Sequence, residues 1–271
     1  MKIIKLISTG LAVILLAACN LPSQSPTPTS EPVITPTQAP TATTTAGPTP
    51  TQLPLYQQVS LAAVTANESG KAPDYTFKTQ VPVMAGSSDP RVAKFNQGVS
   101  AIIKAAVDQF RKDLSEQSAV PLAGGSYFDL RYELISPPGP IFSLQIKIEG
   151  MTDGAAHPYH VTISYNFNLE TGREIALNDL FLPDAKPLPI IAEYCKKELG
   201  KRDISFEMFA AGADPTPENY TVWNISADGL VIFFNEYQVA PYAAGPQTVV
   251  IPFSELGKNI DPSGPLAGFK P

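Results

Sequence analysis

The chain has 271 residues, with 25 acidic against 19 basic side chains and 44% hydrophobic residues. A net charge of −6 excludes a nucleic-acid surface built on bulk positive charge. Two cysteines exclude a disulfide framework, so stability must come from a hydrophobic core.

Lys2 and Lys5 precede an apolar run from Leu6 to Leu16, about eleven residues where a spanning helix needs about 20. The run is therefore expected to be a secretory signal rather than a membrane span, and no later run approaches that length. Leu16-Ala17-Ala18-Cys19 resembles the bacterial lipobox. That resemblance implies a signal peptide over 1–18 and a diacylglyceryl thioether on Cys19, which would hold the protein on the outer face of the cell membrane. Cleavage there leaves 17 basic against 25 acidic side chains, a charge of −8. Residues 19–54 are dominated by Pro, Thr and Ser, with Glu31 the one charge. Such a segment has too little apolar surface to offset its ordering entropy, so a disordered, extended stalk is expected. Residues 55–271 are then the globular domain, divisible into 72–150 and 151–257.

Period-two alternation over Tyr75, Phe77, Thr79, Val81 and Val83 predicts a strand, with Pro82 favouring an edge for its end. Ser88 or Asp89 followed by Pro90 opens a helix. Val92, Phe95, Val99, Ile102, Ile103, Ala106, Phe110 and Leu114 form its apolar stripe, and Arg111 falls on the solvated face. Phe128–Leu134 and Phe142–Ile148 alternate on either side of Pro137-Pro138-Gly139-Pro140, which predicts a hairpin whose polar face carries Asp129, Arg131, Glu133, Ser143, Gln145, Lys147 and Glu149. A third strand runs from Val161 to Leu169, and a second helix from Leu188 to Lys201. Asp228-Gly229 joins strands expected over Tyr220–Ser226 and Leu230–Tyr237, and Thr248–Phe253 is the last strand. The fold class is α+β, a mainly antiparallel sheet of hairpins packed with two helices.

Signals for chemistry are sparse. His157 and His160 are the only histidines, and strand alternation puts them on opposite faces, which disfavours a shared metal. The simpler expectation is that His157-Pro158 shapes a loop and that the imidazole bonds locally. There is no G-x-S-x-G elbow and no phosphate-cradling loop. Asp129, Glu133 and Glu149 share a polar face, as solvated strands commonly do. Cys195, in the second helix, is expected to be a small buried residue, as are Trp223 and the Phe233-Phe234 pair. The remaining candidate is "YQVAPYAAGP" over 237–246, where Pro241 restrains a loop that offers Tyr242 and Tyr237, with His157 and Tyr159 on the same surface. Two readings of that loop stay open: rings offered to a ligand, or rings packed inward at a tight turn.

"TDGAAHPYHVTISYNFNLETGREIALNDLF", "DGLVIFFNEYQVAPYAAG" and "TVVIPFSEL" together resemble the extracytoplasmic domain of the lysozyme-sensing anti-sigma factor RsiV and its relatives. Such domains also occur in a mycobacterial secreted antigen and beside peptidoglycan deacetylase domains. The resemblance runs from about Pro73 to Leu256, with Gly154-Ala155-Ala156-His157-Pro158 replacing the usual Gly-Gly-Ala-His-Pro. It implies the fold and recognition of a lysozyme-like protein or peptidoglycan, and no catalytic role follows from it; the residues themselves lead to the expectation of no catalytic residue, cofactor or metal. A monomer that binds no nucleic acid is expected. A wall-acting hydrolase or deacetylase and a passive envelope spacer are the alternatives.

Overall fold

A computed structural model describes residues 52–117 and 124–269. The expected signal peptide, Cys19 and the stalk up to residue 51 lie outside the described residues. The described residues all belong to one compact unit. Its elements are the short helix α1 (Leu55–Gln58), strands β1 (Ser60–Lys71) and β2 (Asp74–Ala85), and helix α2 (Pro90–Ser115). Strands β3 (Ser126–Leu134), β4 (Ile141–Met151), β5 (Tyr159–Asn168) and β6 (Arg173–Glu174) follow, then helix α3 (Pro187–Leu199). The chain ends in β7 (Trp223–Ile225), β8 (Leu230–Phe234), β9 (Gln247–Ile251) and the short helix α4 (Phe253–Leu256).

The architecture is α+β, with the strands divided between two sheets. One has six strands in the order β1-β2-β3-β4-β5-β6, and the other three in the order β7-β8-β9. Every pairing is antiparallel except β2 with β3, which α2 connects as a crossover. Both predicted hairpins form, around the Pro137–Pro140 loop and around Asp228-Gly229. Strand β1 carries no sequence signal because nearly all its side chains are exposed on both faces. It makes β2 an interior strand. Pro82 lies beyond the stretch that β3 pairs, where β2 has β1 as its one strand neighbour. The expected alternation also breaks there. Phe77 and Thr79 are buried, then Pro82 and Met84, with Val81 and Val83 half-buried. Asn96 of α2 holds that end, bonding both backbone groups of Met84 at 2.8 and 2.9 Å.

Asp89 caps α2 by accepting from the Arg91 backbone N–H at 2.9 Å. The Arg91 side chain beside it holds the Asp89 carboxyl at about 2. The α2 stripe packs on the apolar face of the first sheet, burying Val92, Phe95, Val99, Ile103, Phe110 and Leu114. Arg111 lies on the expected solvated face, where it also pairs with Glu68 of β1 at 2.7 Å and lies over the Phe77 ring. Gly98 is the point of closest approach to the sheet. A Cβ there would lie 2.1 Å from the Tyr165 hydroxyl oxygen. Tyr165 is 2% exposed and its ring contacts Phe95 and Phe167, so it has no room to retreat.

The polar face of β4 and β5 is not solvated throughout, because the second sheet covers one end of it. Ser143, Asn166 and Asn224 are all buried. Ser143 Oγ donates to Asn166 Oδ1 and accepts from Asn224 Nδ2 and the Ile225 N–H, both at 2.9 Å. Asn166 Nδ2 donates to the Trp223 carbonyl at 2.9 Å. Beyond this seam the second core gathers Ile191, Cys195 and Leu199 of α3 with Trp223, Ile225, Leu230, Ile232, Phe234 and Ile251. The first core reaches to Leu169, so β5 belongs with the first half of the domain.

Two stability changes follow. Ser143→Ala removes the acceptor from two buried N–H groups, and urea unfolding should show a loss of at least ~2 kcal/mol. A loss below ~0.5 kcal/mol would show that the seam is not needed. Gly98→Ala adds the better helix former, yet its urea midpoint should fall, because overpacking at ~1–3 kcal/mol exceeds the propensity gain of ~1 kcal/mol.

Candidate functional site

Strand β5 has an outer edge that no described strand covers between Tyr159 and Asn166, and side chains from the residues after β8 cap it. Asn235 Oδ1 accepts from the Thr162 N–H at 2.8 Å, and Glu236 accepts from the His160 N–H at 3.2 Å. These bonds end β8 at Phe234, three residues before the expected Tyr237. The chain then turns sharply, with Tyr237 at φ +64°, in the left-handed region that a bulky residue rarely occupies. Its side chain is 54% exposed.

This turn brings Tyr237 to His157. The His157 Nδ1 lies 2.8 Å from the Pro158 carbonyl oxygen, which can only accept. Nδ1 therefore donates to that carbonyl, and Nε2 lies within hydrogen-bond reach of the Tyr237 hydroxyl at 3.1 Å. The Tyr242 hydroxyl donates to the same Pro158 carbonyl at 2.9 Å. The His157 and Tyr242 rings stack at 3.9 Å, and Tyr237 lies 5.7 Å from Tyr242. Burial, with the nearby Glu236 charge, pushes the Tyr242 phenol up from its ordinary value, so it stays a donor. Pro241, at φ −65°, starts the 3-10 turn Tyr242–Ala244 and accepts from the Ala244 N–H at 3.0 Å.

The structure thus brings together four of the five ligand-binding candidates: Pro241, Tyr242, Tyr237 and His157. His157 is exposed, while Tyr242 is half-buried and bonded to the backbone, so the loop is neither fully offered nor packed inward. Tyr159 is placed elsewhere. It faces α2 and covers bare backbone at Gly150, where a Cβ would come within 2.4 Å of its ring. Strand alternation sends it to the sheet face opposite His160.

A groove of about 600 Å³ opens beside the cluster, bordered by Tyr242–Pro246, Phe233 and the polar ends of β3, β4 and β5. Phe233 departs from the expected core role. Leu230, Ile232 and Phe234 face the second core, and Phe233, on the other side of β8, lines the groove. Arg131 lies between Asp129 at 3.2 Å and Glu149 at 3.4 Å, and Lys147 pairs with Glu133 at 2.5 Å. The three carboxylates expected on one polar face therefore sit in ion pairs. His160 Nδ1 meets Glu236 at 2.6 Å. Sequence reading missed Glu236, Asn235, Arg131 and Phe233 as parts of this site. The tight turn that aims the first two has no local glycine or proline signature. Among the described residues, no group of three or more His, Cys, Asp or Glu side chains is placed to hold a metal ion. Cys195 is fully buried, and burial pushes its thiol up to about 12.

The chain is 27% identical to the immunogenic protein MPT64 of Mycobacterium tuberculosis over 48% of this chain and 56% of that protein. It is 26% identical to the esterase Rv3036c of the same species over 38% of this chain and 45% of that one. To the peptidoglycan-N-acetylmuramic acid deacetylase PdaC of Bacillus subtilis it is 29% identical, over 38% of this chain and 23% of PdaC. The chain thus spans little more than half of MPT64 and less than half of the other two. Its fold is similar to the crystal structure of a DUF3298 family member from Bacteroides fragilis, with a TM-score of 0.58, 18% identity, and coverage of 78% of this chain and 96% of that one. Residues 178–254, which hold Glu236, Tyr237, Pro241 and Tyr242, match the DUF3298 family, described as a protein of unknown function.

Proposed function

We propose that this protein is a binding module, lipid-anchored through Cys19 on the outer face of the cell membrane, that engages a cell-wall ligand or a lysozyme-like protein without catalysing a reaction. The observation that carries the binding reading is the His157–Tyr237–Tyr242 cluster, of which Tyr242 borders the groove. Its rings are fixed by hydrogen bonds to one another and to Pro158, and two of the three residues are exposed. Rigid rings that keep a polar tip in water lose little entropy on binding, which is why they anchor interfaces. The resemblance to the lysozyme-sensing RsiV domain and the partial match to PdaC support a wall ligand or a wall-directed partner.

A second reading, a wall-acting hydrolase or deacetylase, draws on the His160–Glu236 pair and on the esterase match. A carboxylate on Nδ1 orients an imidazole for base chemistry at Nε2. No described serine, threonine or cysteine side chain is hydrogen-bonded to His160, however, so the pair lacks a nucleophile to activate. The binding reading is favoured for that reason.

Mass spectrometry of the membrane-extracted protein should find Cys19 as the first residue, bearing a diacylglyceryl thioether. Cys19→Ala should abolish the modification and leave the protein unprocessed. An unmodified Cys19 in wild-type protein would remove the anchor from the proposal. Residues 52–271, incubated with peptidoglycan sacculi and with lysozyme, should bind at least one of them. His157→Ala should weaken that binding ~10-fold with an unchanged unfolding midpoint. Binding to neither, or acetate or sugar released from sacculi, would count against the module.

A further inference from the structure

The polar groups around the groove already hold one another. Arg131 is shared by Asp129 and Glu149, Lys147 pairs with Glu133, and His160 pairs with Glu236. An ionic ligand gains its main attraction from an unpaired opposite charge. Among the described lining residues each charged side chain has a partner, so seating such a ligand would break a pair and strand a charge. A neutral ligand makes no such demand. A guanidinium has five N–H donors and a carboxylate roughly four lone-pair sites, so the paired groups keep capacity for hydroxyls. His160 Nε2 adds one further polar site, since its Nδ1 is taken by Glu236.

The lining also holds aromatic residues. Tyr242, whose ring stacks on His157, borders the groove together with the half-buried Phe233. Ala243, Ala244 and Gly245 add no bulk beside them. The lining thus offers rings suited to a flat apolar face and paired polar groups suited to neutral hydroxyls and amides. Pyranose rings combine these two features. The volume of about 600 Å³ falls within the ~300–1,000 Å³ of small-molecule sites.

We propose that this groove binds a neutral glycan, with one pyranose laid against Tyr242 and its hydroxyls bonded along Arg131, Glu149, His160 and Glu236. The inference rests on the binding-module reading and narrows it to the sugar of a wall ligand. The full chain is titrated calorimetrically with cellotetraose and with the N-acetylglucosamine tetramer, both neutral. The galacturonate tetramer supplies an anionic counterpart and the glucosamine tetramer a cationic one. At least one neutral tetramer should bind, with affinity varying less than ~3-fold between 50 and 300 mM salt, because no ion pair forms. Tyr242→Leu should weaken that binding at least ~10-fold, and Tyr242→Phe, which keeps the ring, no more than ~3-fold. Should Tyr242→Leu fail to fold, Arg131→Met at the exposed end of the ladder takes its place, with a loss of ~10-fold expected. The proposal is overturned if neither neutral tetramer binds, if a charged tetramer binds more tightly with steep salt dependence, or if the folded variants bind like wild type. Binding to sacculi or lysozyme without binding to the neutral tetramers would sink this inference alone. Binding to none of these probes would sink the module reading as well.

Discussion

The domain depends on a buried polar seam between its two sheets. Ser143, Asn166 and Asn224 place hydroxyl and amide groups where a hydrophobic interface would otherwise form; Ser143 and Asn166 bond the backbone of β7, and Asn224 donates to Ser143 and to the Leu144 carbonyl of β4. Apolar contact is nondirectional and would let one sheet slide over the other. A hydrogen-bonded seam fixes one register, because a shifted sheet would leave several buried groups unpaired. Each core completes its own packing on either side of that fixed line. Among the described residues Asn224 Oδ1 is buried with no partner, a local imperfection in an otherwise satisfied seam.

The same principle positions the candidate site. The outer edge of β5 is closed by the Asn235 and Glu236 side chains rather than by another strand, which prevents edge-to-edge pairing. Closing the edge in this way forces the chain to leave β8 early and puts Tyr237 in its left-handed turn. That turn carries the Tyr237 hydroxyl to His157, and the Pro158 carbonyl then accepts from both His157 and Tyr242. Proline has no N–H, so the carbonyl is the only backbone hydrogen-bonding group Pro158 contributes. A surface of three rings thus follows from how one strand edge is satisfied. The groove beside it is the gap between the polar face of the first sheet and the loop that continues from this turn.

How legible these features are in the sequence depends on how local they are. The α2 stripe, the hairpins at Pro137–Pro140 and Asp228-Gly229, and the burial of Trp223 and Cys195 follow from periodicity, turn residues and side-chain character. His157, Tyr237, Pro241 and Tyr242 stood out as a group because few other residues had unusual chemistry, but their contacts did not. His157 and Tyr237 are 80 positions apart, and their bond depends on a turn imposed by Thr162 and His160 of another strand. Strand β1 gave no signal because a strand exposed on both faces needs no alternation. Tyr159 was grouped with His157 by proximity in sequence, whereas strand geometry sends it to the other face.

By itself, then, the sequence determined the fold class, the helix and hairpin positions, and which residue types had chemistry to offer. These depend on interactions within a few residues or on a repeating pattern. Only the tertiary structure decided that half of a polar strand face would be buried against a second sheet. It alone decided that the exposed Arg111 would reach Glu68 and the Phe77 ring, and that Tyr237 and His157 would meet. Those outcomes depend on which distant backbone groups needed partners, and a buried hydrogen-bonding group takes its partner from whatever the packing brings near.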